Sequence, residues 1–215
     1  MALSPFYRAD GLAAADDPAR RAALDDLGVV RLLTPEQLER KIAAIFGKDW
    51  GRLHDQFKIL YGGIDTKEVT ERLAEPSGAM GAIQRMMANE VACKNVALDF
   101  SKDPADRRLF PGIEFDVVPG PDAPEAEPKV RAAIAHLHAL ILGRRDSPSD
   151  PEVDRTYALF TGILADAAKE ERFEKIEIYH CGAEREKRFP DPYYTVRAWR
   201  AVVTYLLRQH AFLYE

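Results

Sequence analysis

The stretch from Met80 to Leu98 constrains this chain most, because apolar residues recur on nearly every turn of the helix it would form. Met80, Ile83, Met87 and Val91 make one stripe, and Ala82, Met86, Cys93 and Val96 a second. Apolar positions on several sides imply burial on several sides, so the stretch reads as a central pillar with other helices packed around it. Asn89 and Glu90 interrupt the run. On this reading at least one of them faces a dry region, where a carboxylate must be paired, hydrogen-bonded or protonated. Arg72, Arg85 and Arg197 are the expected partners for Glu90, in a salt bridge that fixes helix register.

Helix punctuation surrounds the pillar. Residues 1–15 read as an N-terminal arm, and Asp17-Pro18 opens a short helix that stops at Gly28. Thr34-Pro35-Glu36-Gln37 is a stronger start, with Gln37 three positions beyond the Thr34 cap, and Leu38, Ile42 and Ile45 follow at helical spacing. Trp50, Leu53, Phe57 and Leu60 continue that spacing to Gly62-Gly63, where a sharp turn is expected. Asp65 or Thr66 then caps a helix carrying Glu68 and Arg72.

Beyond the pillar, residues 99–128 hold Pro104, Pro111, Pro119, Pro121, Pro124 and Pro128 and show little periodicity. They read as an irregular connection pinned to the core by Phe100, Phe110, Ile113 and Phe115. Val130, Ile134, Leu137 and Ile141 give a helical stripe ending at Gly143, and Asp150-Pro151 starts another. Residues 169–188 are highly charged and read as a helix end and a solvated loop. Val196, Trp199, Val203, Leu206, His210 and Leu213 mark a long last helix, with Arg197, Arg200, Thr204 and Arg208 on its other face. The expected fold is all-α, an irregular bundle of about seven to eight helices. Its N-terminal subdomain spans 16–98 and its C-terminal subdomain 129–215, together one compact domain.

Composition narrows the function. Thirty Lys and Arg against 35 Asp and Glu leave a formal charge of −5, which argues against broad capture of nucleic acid, including by the arginine-bearing face of 197–208. No run of about 18 apolar residues suggests a membrane span. The N-terminus lacks the basic start and apolar core of a secretory signal, so the sequence as written reads as cytoplasmic. Two cysteines are too few for a disulfide framework, and no Cys-x-x-Cys-His predicts covalent c-type haem. In an oxidising compartment a Cys93–Cys181 bond would clamp the second half of the chain onto the pillar, whereas in the cytosol both thiols would be free.

Catalytic signatures are weak. His136 and His138 are two apart on a predicted helix and point in different directions, so no metal site and no cofactor is expected. No Gly-x-Ser-x-Gly elbow appears, and Gly62-Gly63 lacks the residues of a phosphate loop. A site is expected only if Tyr61, Asp65, Glu68, Arg72, Asn89 and Glu90 surround one pocket.

Tyr61-Gly62-Gly63-Ile64-Asp65, Val69-Thr70-Glu71-Arg72, Ala88-Asn89-Glu90-Val91-Ala92-Cys93, Val196-Arg197-Ala198-Trp199 and Phe212-Leu213-Tyr214-Glu215 occur in that order. In these motifs residues 30–215 resemble helical domains of uncharacterised bacterial envelope proteins of the planctomycete type, often fused to cytochrome-c domains. The resemblance implies an exported protein near electron-transfer partners. The reading that follows is a helical interaction module, a subunit or domain of a larger assembly with a protein partner. Its alternative is an enzyme or small-ligand domain with a pocket near the Gly62-Gly63 turn, using Glu90 as acid or base.

Overall fold

A reciprocal capping box starts the first helix. Thr34 Oγ1 accepts the N–H of Gln37 at 3.2 Å, and the Gln37 side chain accepts the N–H of Thr34 at 2.9 Å. This is a computed structural model, and it describes residues 31–65, 67–71, 77–169, 178–179, 181, 189–191 and 193–214. The N-terminal arm and the helix expected over 17–28 lie outside the described residues, as does Arg72.

Helix α1 (Pro35–Phe46) buries Leu38, Ile42 and Ile45 and ends where the Gly47 N–H returns to Ala43 O. One turn of π-helix follows (Leu53–Phe57), then the Gly62-Gly63 turn. Gly62 takes a left-handed φ of 85°. A Cβ on Gly63 would meet Lys58 O at 2.8 Å, so neither position tolerates a side chain easily. Among the described residues 67–71 no helix follows. Asp65 caps a turn there, accepting the N–H groups of Lys67, Glu68 and Val69.

Helix α2 (Gly78–Phe100) is the pillar, with Met80, Ile83, Met87, Ala88, Val91, Ala92 and Val96 buried. The expectation of dryness on nearly all sides is corrected: Ala82, Arg85, Asn89, Glu90 and Lys94 are exposed. Of the second stripe Ala82 is exposed, which costs alanine little, and Met86 is half-buried, while Cys93 and Val96 are covered. Cys93 lies on that same wet side and is buried beneath Cys181, to which it is bonded, with Cα atoms 5.5 Å apart across 88 residues of sequence.

The connection from Ser101 to Glu125 is irregular, apart from a 3-10 turn at Pro104–Asp106, and lies against the core through Leu109, Phe110 and Ile113. Asp99, only 3% exposed, holds it. One carboxylate oxygen accepts the N–H groups of Leu109 (2.8 Å) and Phe110 (3.0 Å), and the other accepts that of Arg108 (3.1 Å).

Helix α3 (Ala126–Leu137) runs into a π turn (His138–Leu142), which ends at Gly143. Helix α4 (Pro151–Lys169) and a minimal hairpin, β1 (Ile178–Tyr179) against β2 (Phe189–Pro190), precede helix α5 (Thr195–Leu207). The hairpin's first strand falls in the 169–188 segment, whose sequence reads as a helix end and loop. The long last helix breaks at Arg208-Gln209, where Gln209 is extended, and α6 (His210–Leu213) folds back. The break lets Phe212 and Leu213 bury themselves and the Leu33 N–H reach Leu213 O at 2.9 Å. Phe212 and Leu213 therefore dock on the chain's own core.

Helix α5 packs on both α2 and α4. Trp199 is fully buried there, its ring 5.1 Å from Phe110 and 4.6 Å from Phe160. Three elements far apart in sequence thus meet at one indole, and such tilted ring pairs add to the burial term.

Candidate functional site

Of the six polar residues expected around one pocket, Arg72 lies outside the described residues and the other five do not gather. Tyr61 is buried with its hydroxyl accepting from Gln84 at 3.1 Å, and burial pushes the phenol up to about 12, with the Gln84 hydrogen bond acting the other way. It stays neutral and structural. The Val69, Lys67 and Glu68 N–H groups hold the Asp65 carboxyl below its ordinary value, as a turn cap would. Glu68 is exposed.

Glu90 lies six residues beyond Gln84, about 9 Å farther along α2 and on another side of it. Its partners are neither Arg85 nor Arg197. One oxygen accepts the Trp50 indole N–H at 2.9 Å and the other pairs with Arg52. Arg52 also covers the rings of Trp50 and Phe57. Trp50 is set by Glu39, a carboxylate 1% exposed, which accepts the N–H groups of Trp50 (2.7 Å) and Leu53 (3.1 Å). This cluster borders a cavity of about 370 Å3 between α1 and α2, also lined by Ile42, Lys94 and Leu98.

Three buried polar groups, Glu39, Asp99 and His138, lie outside the six expected site residues. Each sits on an apolar stripe: Glu39 three before Ile42, Asp99 three after Val96, and His138 four after Ile134. That placement was the available signal. His138, 1% exposed, donates Nδ1–H to Asp146 at 2.7 Å, and its Nε2 lies 3.0 Å from Thr156 Oγ1. By residue type this is a nucleophilic triad. However, the Thr156 hydroxyl is buried and donates to Glu152 O at 3.0 Å. A nucleophile needs its proton on the imidazole and its oxygen on a cavity. The trio instead ties the α3 π turn to the start of α4. Burial alone would raise the Asp146 carboxyl, but the hydrogen bond from His138 and the charge of Arg144 more than offset it, and the net shift is downward.

Asp191 does similar work at the head of α5. Fully buried, it accepts the Val196 N–H at 2.9 Å and the Arg197 N–H at 3.2 Å, and pairs with the Arg197 guanidinium at 2.7 Å. It thereby aims Arg197 along the wet side of α5.

There the structure opens a cleft of about 870 Å3, lined by Asn89, Leu159, Arg197, Arg200, Ala201, Thr204, Tyr205, Arg208 and Gln209. The α5 members recur at three- and four-residue steps, so they form one face of the helix. Asn89 is fixed at the rim because its Nδ2 donates to Arg85 O at 2.9 Å. Thr204 Oγ1 is shielded from solvent and has no hydrogen-bond partner among the described residues. Arg200 and Arg208 have no carboxylate within ion-pair range among the described residues. Of the five expected site residues that are described, only Asn89 belongs to this cleft. No protein-family model, curated protein or solved structure matches the chain, so its reading rests on this geometry.

Proposed function

We propose that this chain is a helical interaction module, a domain or subunit of a larger assembly, whose partner-binding face is the cleft between α2, α4 and α5. The observation that carries the reading is the arginine lining of that cleft in a protein of formal charge −5. Asp65, Glu39, Asp99 and Asp191 are occupied in holding backbone turns, whereas Arg200 and Arg208 stand unpaired on a cavity among the described residues. Unpaired cations on one rim attract an acidic partner and set its register. The Cys93–Cys181 bond supports an oxidising compartment, in keeping with the resemblance to envelope proteins near electron-transfer partners.

The alternative, an enzyme or small-ligand domain near Gly62-Gly63 using Glu90 as acid or base, has less support. Both Glu90 oxygens are engaged by Trp50 and Arg52, and Tyr61 meets the pillar at Gln84, about 9 Å back along the helix.

A photo-crosslinking residue at Tyr205, compared with one at Arg40 on α1, tests the proposal in the native organism. A discrete adduct from position 205 and none from 40 is the expected result. No adduct from 205, or the same adduct from both, contradicts it.

A further inference from the structure

We propose that the occupant of the cleft is an extended acidic peptide segment of a protein partner, with carboxylates three to four residues apart and an apolar side chain between them. The inference rests on the reading of the cleft as the binding face and names what that face recognises.

The spacing of charge argues for it first. Arg200 and Arg208 are eight residues apart, about 12 Å along the helix axis. A lone phosphate or carboxylate satisfies one guanidinium fork and leaves the other empty. An extended chain advances about 3.4 Å per residue, so acids three or four positions apart match both forks. Arg197 is already paired with Asp191 and supplies a smaller share of the attraction. The second unpaired guanidinium therefore has to be met by a second acid, not a stronger one.

The floor argues next. Leu159, Ala201 and Tyr205 lie between the arginines and offer an apolar seat. A peptide supplies an apolar side chain between two spaced acids, whereas a nucleic-acid strand, whose bases can stack on Tyr205, brings a phosphate at every nucleotide to a rim with two unpaired guanidinium groups. Net charge adds to this, since −5 repels a long polyanion at distance while a short segment feels mainly the local rim. The exposed Asn89 side chain, whose Nδ2 is engaged by Arg85 O, turns its Oδ1 to no partner among the described residues and supplies an acceptor that a peptide N–H can use. The row also has room to continue. Arg208 borders a second depression of about 330 Å3, lined by Gly78, Gly81, Gln84, Arg85 and Leu213, where Arg85 adds another guanidinium. A segment leaving the cleft past Arg208 meets Arg85 next.

The test uses the whole oxidised chain and fluorescence anisotropy. Its probes are a labelled twelve-residue peptide of the pattern Glu-Leu-x-x-Glu, the same composition scrambled to cluster its acids, a single-stranded oligonucleotide, and inorganic phosphate as competitor. The patterned peptide is expected to bind about tenfold more tightly than the scrambled one. Arg200→Glu and Arg208→Glu should each weaken it about tenfold or more, since each replaces an attraction by a repulsion. Arg40→Glu, outside the cleft, should leave it unchanged. Equal binding of the two peptides, or tighter binding of the oligonucleotide with the same sensitivity to Arg200→Glu, overturns the peptide while keeping the cleft as the binding face. Displacement of the peptide by millimolar phosphate overturns the two-acid requirement. Peptide binding that ignores both cleft substitutions, with circular dichroism showing the variants folded, overturns the peptide and the cleft reading together.

Discussion

Asp99 accepts the backbone N–H of Phe110 at 3.0 Å while the adjacent Phe100 ring stacks on the Phe110 ring at 4.2 Å. Two consecutive residues at the end of the pillar thus fix the irregular connection, one by charge and one by stacking. The connection in turn presents Phe110 to Trp199, so the placement of α5 depends on a carboxylate in α2.

Asp99→Asn should therefore destabilise the fold by about 2–4 kcal/mol, because an amide cannot accept all three backbone donors as a carboxylate does. Lys102→Ala removes only the half-exposed ion pair to the same acid and should cost under about 1 kcal/mol. Urea unfolding followed by tryptophan fluorescence separates the two. Equal effects would mean that the ion pair, not the backbone bonds, is what Asp99 supplies.

Reducing the Cys93–Cys181 bond should lower stability by about 2–5 kcal/mol, since it closes a long loop in the unfolded chain. For a domain of this size that is a fall of roughly 5–15 °C in melting temperature. Paired melts with and without dithiothreitol measure it, alongside a thiol titration that should find no free cysteine before reduction. Two free thiols in protein purified without reductant would contradict the bond.

Acid should loosen the α3–α4 corner. The Asp146 carboxyl is held below its ordinary 3.8, so its contribution to stability is present in full above that value and is lost as pH falls through the lower native value. Asp146→Asn should accordingly be less stable than the parent at neutral pH, with the two denaturation midpoints converging in strong acid. A constant gap down to the acid limit would show that Asp146 acts by shape alone.

Glu90→Gln should change stability by under about 1 kcal/mol, because its pair with Arg52 is exposed. It should shift the emission of half-buried Trp50 and leave buried Trp199 unaltered. A large loss of stability would restore the buried role first expected for this acid.

How much of this was legible in the sequence follows from where each constraint is stored. The Thr34 capping box, the Asp150-Pro151 start and the Val196–Trp199–Val203–Leu206 stripe are local, and local patterns predicted them. The π turn at His138, the break at Gln209 and the exposure of Asn89 and Glu90 depend on what packs alongside. Periodicity counted Ala82 and Met86 as demanding burial, although Ala82 is exposed and Met86 only half-buried. The cleft stayed hidden for a related reason. Arg197, Arg200 and Arg208 read as the face opposite the apolar stripe, and the approach of Asn89 on α2 and Leu159 on α4 turns that face into a concavity.

The most direct measurement of the binding-face claim is a titration of the acidic peptide into isotope-labelled oxidised chain, followed by amide chemical shifts. Shifts concentrated at Asn89, Leu159, Arg200, Tyr205 and Arg208, reduced by Arg208→Glu, are the predicted result. Shifts centred instead on Trp50, Arg52 and Glu90, or on the exposed Ile59–Leu60 pair, would contradict it and move the binding face to the other side of the pillar.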